Sequence, residues 1–222
     1  MKNTLICKFV VALAIAGGVV LSAPSALASG SDAFNRPHLG PRWTVLSGST
    51  LTITNHEMTG TSLSLGYLKA SSADTAASAV VSLGSTDLEY GAVAVGNIAA
   101  GTNAFVKIQA QDGTGTFDFG GFYTGNNGGG VFFALSSAVP SPATLDVFFC
   151  GTVATMRITS AAGVQTYTND YGTTFGAGAG LGTYGSVGLD NFVGFPSACS
   201  DAAADAVPAS QMPSARDLSL GK

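Results

Sequence analysis

Apolar and polar residues alternate along much of this chain, in short segments that glycine-rich turns separate. The clearest segments are residues 106–111 and 154–159, in which every second residue is apolar. A period of two places alternate side chains on opposite faces of a β-strand, with one face buried and the other wet. No segment after residue 28 sustains the 3.6-residue period of a helix. The pattern therefore predicts an all-β protein.

Further short strands are predicted between turns rich in glycine, asparagine and aspartate, which tolerate positive φ. The Ala-rich segment 71–79 is interpreted as a loop that leads into a strand. About a dozen antiparallel strands at this spacing are typical of a β-sandwich or barrel. The further strands are predicted at residues 43–46, 51–54, 62–65, 79–83, 90–95, 117–123, 131–135, 145–149, 165–168 and 187–193.

Residues 1–28 have the three parts of a secretory signal peptide. Lys2 and Lys8 supply a positive start, residues 9–20 form an uncharged apolar run, and Ala26-Leu27-Ala28 has the small residues of a cleavage site. The apolar run is shorter than the roughly 20 residues that a membrane span needs. We therefore expect a cleaved signal rather than a membrane anchor, and a secreted protein that is extracellular or periplasmic.

The rest of the chain is predicted to form one domain, residues 29–199, followed by a tail. The tail, residues 200–222, is rich in Ala, Asp, Ser and Pro and is interpreted as disordered. We expect the domain to be a monomer that has no association with the membrane after signal cleavage.

Charge excludes two classes of partner. The sequence has nine basic and thirteen acidic residues, and removal of the signal takes two basic residues, which leaves a net charge of −6. Nucleic acids and anionic membrane surfaces are recognised by clustered Lys and Arg, which this composition lacks. No nucleic-acid partner is expected.

Two cysteines, Cys150 and Cys199, remain after the signal peptide and its Cys7 are removed. An even pair in an oxidising compartment predicts one disulfide bond. The alternative is a pair of unbridged, buried thiols.

Two segments resemble a known pattern. Residues 32–37 read DAFNRP and residues 187–192 read VGLDNF. Together with the glycine-rich approach to the second segment, they resemble the concanavalin A-like lectin/glucanase superfamily, especially its secreted bacterial laminin-G-like members. The resemblance covers roughly residues 30–196 and implies an antiparallel jelly-roll β-sandwich, in which the opening and closing strands lie near each other in one sheet.

The resemblance also implies a structural calcium ion. In many members of the superfamily an aspartate at the start of the closing strand binds calcium together with backbone carbonyl groups. Asp190 matches that aspartate, and the carbonyl groups would come from the turn at Asn55-His56 and from around Asp32. Calcium accepts such a set of carboxylate and carbonyl oxygens. The alternative is that Asp190 only forms hydrogen bonds with neighbouring backbone.

The catalytic pattern of the superfamily's glycanases is not matched. Those enzymes carry E-x-D-x-E on one strand, because alternate residues share a face and two carboxylates about 5 Å apart perform retaining hydrolysis. The nearest match is Asp87-Leu88-Glu89, which has two of the three carboxylates and precedes Tyr90-Gly91 instead of following it. A polysaccharide lyase, with Lys107, Gln109 and Tyr123 in a cleft, is a further alternative.

Carbohydrate binding is the leading prediction for function. Sugars stack on aromatic rings and form hydrogen bonds with polar side chains, and residues 117–133 combine rings with an Asn/Gly loop. We therefore expect a non-catalytic protein that binds a glycan or another extracellular surface. The alternatives are a glycoside hydrolase or lyase with an unrecognised site, and an extracellular matrix or adhesive protein. Candidate ligand-binding residues, each of which has a core position as its alternative, are Tyr90, Phe122, Tyr123, Asn126, Asn127, Tyr167 and Tyr171.

Overall fold

A computed structural model describes residues 30–46, 49–60, 64–68, 74–85, 88–111, 113–125, 129–196 and 206–212. These residues contain sixteen strands and two short 3-10 helices, at Ile98–Ala100 and Ala209–Gln211. No helix in the described ranges is long and apolar enough to cross a membrane. The strands are β1 (Gly30–Asp32), β2 (Trp43–Val45), β3 (Leu51–Thr54), β4 (Glu57–Gly60), β5 (Ser64–Leu68), β6 (Ala76–Ser82), β7 (Tyr90–Asn97), β8 (Thr102–Ala110), β9 (Thr116–Thr124), β10 (Gly130–Pro140), β11 (Ala143–Cys150), β12 (Val153–Ser160), β13 (Gly163–Asp170), β14 (Ala179–Tyr184), β15 (Gly188–Phe195) and β16 (Val207–Pro208).

The strands form two sheets. In the larger sheet the order is β16-β13-β12-β11-β6-β15-β4-β3, and β1 also pairs with β15. In the smaller sheet the order is β10-β9-β8-β7-β14-β5-β2. All described pairings are antiparallel except the short parallel contact of β13 with β16. The predicted all-β antiparallel sandwich is confirmed, although the strand number exceeds the expected dozen because pieces as short as β1 and β16 have no readable alternation.

The core lies between the sheets. Val106 and Ile108 of β8 belong to the same cluster of buried side chains as Met156 and Ile158 of β12, so both sheets contribute to one core. The apolar members of the two clearest alternating segments therefore point inward, as the period of two predicts. Their polar neighbours, such as Lys107, are left on the outer faces.

The opening and closing segments lie side by side, as the resemblance implies. β1 pairs with β15, with Asp32 opposite Phe192. The ring of Trp43 packs between Phe34 and Phe192, at centroid distances of 5.7 Å and 5.2 Å. These contacts fix the N-terminal strand on the larger sheet.

Residues 206–212 of the predicted tail lie on the larger sheet, which corrects the prediction of disorder for these residues. Val207–Pro208 pairs with β13, and the adjoining Ala209 is buried at 1% exposure. Met212 packs against the main core. The low content of aromatic residues predicts disorder, but the strand pairing of Val207–Pro208 and the packing of Ala209 and Met212 hold this segment on the sheet.

Two predicted features involve residues outside the described ranges. The signal peptide, residues 1–28, is one of them. Cys150 is the last residue of β11, whereas Cys199 lies outside the described residues. The signal peptide and the disulfide bond therefore stay predictions.

Candidate functional site

The outer face of the smaller sheet carries a continuous group of rings. In β8 the residues that alternate with buried Val106 and Ile108 point to this face, and strand register brings partners from β7, β9, β10 and β14 beside them. We call this surface the aromatic face. It consists of Tyr90, Phe105, Lys107, Gln109, Phe119, Tyr123, Phe132 and Tyr184.

Lys107 lies at the centre of the aromatic face. Its Nζ atom is 4.4 Å from the ring centroid of Tyr90, 4.9 Å from that of Tyr123 and 4.8 Å from that of Phe132. It also donates a 2.7 Å hydrogen bond to Oε1 of Gln109. Burial lowers the pKa of Lys107 to about 8, because the rings remove water from the charged form. The site thus holds a half-buried ammonium group among π-faces, a favourable cation–π arrangement.

Two stacked ring pairs flank this centre. Tyr90 and Tyr184 stack at 5.4 Å, and Phe105 and Tyr123 stack at 5.1 Å. Tyr184 is 39% exposed, so one side of the first pair is open to solvent. Burial, followed by the neighbouring phenols, raises the pKa of Tyr90 to about 12, so this hydroxyl is neutral at physiological pH.

Two glycines leave space for the ring of Tyr123 on the outer face of the sheet. A Cβ atom at Gly121 would lie 2.5 Å from a ring carbon of Tyr123, and one at Gly130 would lie 2.5 Å from another. Both distances are far inside van der Waals contact, so the ring occupies the space that two side chains would otherwise fill. The missing side chains let the ring lie flat on the sheet beside Lys107.

Comparisons by sequence find nothing: no family model and no curated protein matches the chain. Solved structures do match. The carbohydrate-binding module CBM66 from Bacillus subtilis is 14% identical with a TM-score of 0.50, over 70% of this chain and 98% of that module. A legume lectin-like domain from Entamoeba histolytica is 9% identical with a TM-score of 0.52, over 78% of this chain and 100% of that domain.

An enzyme has the same architecture. The beta-glucanase of Bacillus licheniformis is 9% identical with a TM-score of 0.52, over 76% of this chain and 98% of the enzyme. The chain has the concanavalin A-like jelly-roll fold. This confirms the fold that the opening and closing segments imply. Identities this low show the fold alone, and a shared fold does not decide function.

In this concanavalin A-like sandwich, two of the predicted ligand-binding rings are core residues. Phe122 has 0% exposure and Tyr167 has 1%, so neither presents a face to a ligand, and their assignment to a binding surface is wrong. Phe122 alternates with outward-facing Tyr123, and Tyr167 packs on Phe133 at 4.9 Å. Asn126 and Asn127 lie outside the described residues.

Of the named rings, Tyr123 and Tyr90 do lie on the aromatic face. Tyr171 instead packs against the main core, where its hydroxyl donates a 3.2 Å hydrogen bond to the carbonyl oxygen of Tyr123. Four members of the face were missed by sequence reasoning. The alternation that turns Lys107 and Gln109 to this side of the sheet also places Phe105 there, where Phe105 is buried at 6% exposure and supports the ring of Tyr123. The missed residues are Phe105, Phe119, Phe132 and Tyr184.

The acidic residue nearest the catalytic pattern has a structural role. Glu89 accepts hydrogen bonds from the backbone N–H groups of Gly84, Ser85 and Ser186 and from the hydroxyl of Ser85. Burial alone would raise the pKa of Glu89, but these hydrogen bonds outweigh it and hold the pKa below its ordinary value. Glu89 thereby joins two loops. Its predicted companion, Asp87, lies outside the described residues.

The strands that carry Asp32 and follow the turn at Asn55-His56 pair with one edge of β15, the strand of Asp190. β6 pairs along one edge of this strand, while β4 and then β1 follow along the other, with Leu189 opposite Met58 and Asp32 opposite Phe192. Asp190 lies between those two pairings, beside the turn at Asn55-His56. Every non-glycine residue with positive φ that the structure describes lies here, namely Phe34, Asn55, His56 and Asn191.

The three predicted residues differ in what they offer a cation. Oδ1 of Asp190 is buried without a hydrogen-bond partner among the described residues, and Oδ2 accepts a 3.0 Å bond from Asn191. Asp32 is different, because its carboxylate accepts bonds from Trp43, Arg36 and the backbone of Phe34. The carboxylate of Asp32 is thus engaged within the protein, and the predicted site needs only backbone carbonyl groups from this region. The described residues hold no cluster of three His, Cys, Asp or Glu side chains. A calcium ion here would be held by the carboxylate of Asp190 with backbone carbonyl groups, which are ligands that calcium accepts.

Proposed function

We propose that the chain is a carbohydrate-binding protein that holds sugar rings on its aromatic face. The observation that supports this most directly is the polar centre of Lys107 and Gln109 between two stacked ring pairs. The C–H face of a pyranose packs on aromatic rings, while its hydroxyl groups need hydrogen-bond partners beside those rings. The face offers both. The matched module and lectin-like domain show that the fold occurs in proteins named for such binding.

Further proposals concern secretion, the disulfide bond and calcium. The protein is secreted after cleavage of residues 1–28 and acts as a monomer with an extracellular glycan as its partner. Cys150 and Cys199 form a disulfide bond. A calcium ion, held by Asp190 with backbone carbonyl groups near His56 and Asp32, stabilises the junction of β1, β4 and β15. The orphan Oδ1 of Asp190 supports this site.

A glycan array and titration calorimetry on the secreted protein test the binding. We expect one class of polysaccharide to bind without release of product. Tyr184→Ala removes a solvent-facing ring and is expected to weaken that binding about 2-fold to 12-fold, the equivalent of about 0.5–1.5 kcal/mol for a stacking contact. Val164→Ala, at a 60% exposed position on the larger sheet, is the control and should leave affinity unchanged.

Complete absence of glycan binding contradicts the proposal. Co-purification of such a non-binding protein with extracellular matrix would instead favour the matrix or adhesive alternative.

A polysaccharide lyase is the second candidate, because Lys107, Gln109 and Tyr123 do lie together on the face. A lyase base removes the proton beside a uronate carboxyl group, the neighbouring C–O bond breaks, and the leaving oxygen is protonated. A pKa near 8 leaves a fraction of Lys107 neutral for that role. Ultraviolet absorbance of an unsaturated product, lost in Lys107→Met, identifies a lyase, whereas new reducing ends without that absorbance identify a hydrolase.

A further inference from the structure

We propose that the aromatic face selects acidic glycans, with Lys107 binding the carboxylate or sulfate group of one sugar and Gln109 donating to a neighbouring oxygen. This inference rests on the proposed carbohydrate-binding function and names the substrate class. It depends on charge and hydrogen-bond geometry at the centre of the face.

The first argument is that Lys107 has no counter-ion among the described residues. The ion pairs that the structure describes join Arg36 to Asp32 and Arg157 to Asp146. None of the eight residues of the aromatic face is acidic. A half-buried cation without an opposite charge is costly, and an incoming anion offsets that cost.

The second argument is that hydrogen-bond donors converge here. An ammonium group has three donors, and Lys107 uses one of them on Oε1 of Gln109. Because the ammonium can only donate, it fixes the amide of Gln109 with its oxygen toward Lys107 and its NH₂ group turned away. The centre therefore presents spare N–H groups from two side chains, which match the acceptor oxygens of a carboxylate or sulfate.

The third argument is that the rings strengthen a contact with an anion. Tyr90, Tyr123 and Phe132 surround Nζ at less than 5 Å from each ring centroid. They keep water from the ammonium, and charge-assisted hydrogen bonds are stronger where the local dielectric is low. The protein itself is acidic, with a formal net charge of −4 for the whole sequence, so its net charge provides no general attraction for an anion.

The test uses glycans that differ only in charge. Oligomers of polygalacturonate are compared with the same oligomers after methyl esterification, and a sulfated galactan with its desulfated form. We expect the wild-type protein to bind at least one acidic form about 10-fold to 100-fold more tightly than its neutral counterpart. Carboxylate and sulfate preferences are distinguished by which pair shows the difference.

Variants assign the preference to Lys107. Lys107→Met keeps the apolar stem and should lose the preference for acidic forms while retaining the weaker binding of neutral ones. Lys107→Arg, which keeps the charge, should retain the preference. Arg42→Met removes the same charge from an exposed loop position and should leave it unchanged. Raising the pH from 6 to 9 should weaken acidic binding by the wild-type protein, because Lys107 loses its proton.

The outcomes separate the two proposals. Equal binding of acidic and neutral forms, or a preference that survives in Lys107→Met, overturns the inference and leaves the carbohydrate-binding function standing. Failure of the folded wild-type protein to bind any glycan overturns both. Melting curves of each variant establish that it is folded, and Lys107→Arg keeps the test decisive if Lys107→Met is unstable.

Discussion

The indole N–H of Trp43 donates a 2.7 Å hydrogen bond to the carboxylate of Asp32, across the loop that follows β1. The same carboxylate accepts a 2.9 Å bond from the backbone of Phe34 and bonds from the guanidinium of Arg36. Both Asp32 and Trp43 are buried. One side chain therefore bonds donors from three residues of the N-terminal region, Phe34, Arg36 and Trp43.

Asp32→Ala is expected to destabilise the protein by about 3 kcal/mol, because it leaves the Trp43 and Phe34 donors without an acceptor in a buried site. Urea unfolding followed by the fluorescence of Trp43, the one tryptophan in the sequence, measures this loss. Ser31→Ala, at the exposed neighbouring position, is the control and should change stability little. A loss for Asp32→Ala no larger than that of the control would show that the network is unimportant.

Acid should weaken the fold through Glu89 and Asp32. Desolvation would raise the pKa of each, but hydrogen bonds to each carboxylate outweigh it, and both values lie below the ordinary carboxyl range. A group whose pKa is lower in the folded state contributes stability above its unfolded pKa and loses that contribution as pH falls through the folded value. We therefore expect unfolding free energy to fall steeply below about pH 4.

Glu89→Gln isolates one part of this effect. The variant should be less stable than the wild-type protein at pH 7, and the difference should shrink as the pH is lowered toward 2. Urea midpoints across this range measure it. Ser85→Ala removes one hydroxyl donor and keeps the carboxylate, so it should lower stability while retaining the pH dependence. A difference between wild type and Glu89→Gln that stays constant with pH would argue against this role.

Local alternation explains which parts of the site were predictable. In β8 the sequence pattern alone turns Val106 and Ile108 inward and Lys107 outward, and the structure agrees. In β9 the pattern fails, because Phe117 and Phe119 share a parity yet lie on opposite sides. The register between β8 and β9 shifts between the pairings of Gln109 and Ala110. Phe117 therefore enters the core. A bulge of this kind leaves no mark in residue type.

The pairing of strands that are distant in sequence explains the parts of the site that could not be predicted. Tyr90 and Tyr184 stack because β7 and β14 are neighbours with these two residues directly opposite. Nothing near either tyrosine in the sequence specifies that register. The calcium site stays a prediction, although β15 does pair with β4, the strand that follows the turn at Asn55-His56.

Calcium should stabilise the wild-type protein through Asp190. At an ion concentration 100 times the dissociation constant, binding adds about 2.7 kcal/mol, which raises Tm by about 5–10 °C for a chain of this size. Asp190→Asn should abolish the shift, because it removes the carboxylate with the orphan oxygen. Asp118→Asn alters a carboxylate on the smaller sheet that accepts bonds from Thr114 and Thr116, and should retain the shift. A melting curve insensitive to both calcium and chelator, in a protein free of metal by mass spectrometry, would refute the site.

Gly121 should be needed for ligand binding more than for stability. A Cβ atom there would lie 2.5 Å from the ring of Tyr123, so Gly121→Ala displaces that ring from its position beside Lys107. The displacement takes place on the outer face, where the ring can move into solvent, and the core packing of Phe122 and Ile108 is untouched. We expect at least a 5-fold loss of glycan affinity with a small change in Tm.

Gly129→Ala is the matched control for Gly121→Ala. Gly129 precedes β10 at the edge of the same sheet, and a Cβ atom there would meet nothing within 4 Å. Both variants add one methyl group to a glycine near the aromatic face, so their comparison removes any general effect of the substitution. Calorimetric titration with the best glycan of the array, beside thermal melting of both variants, makes the measurement. Equal affinities for the two variants would mean that the position of Tyr123 has no part in binding, and the ligand would then have to be sought elsewhere on the sandwich.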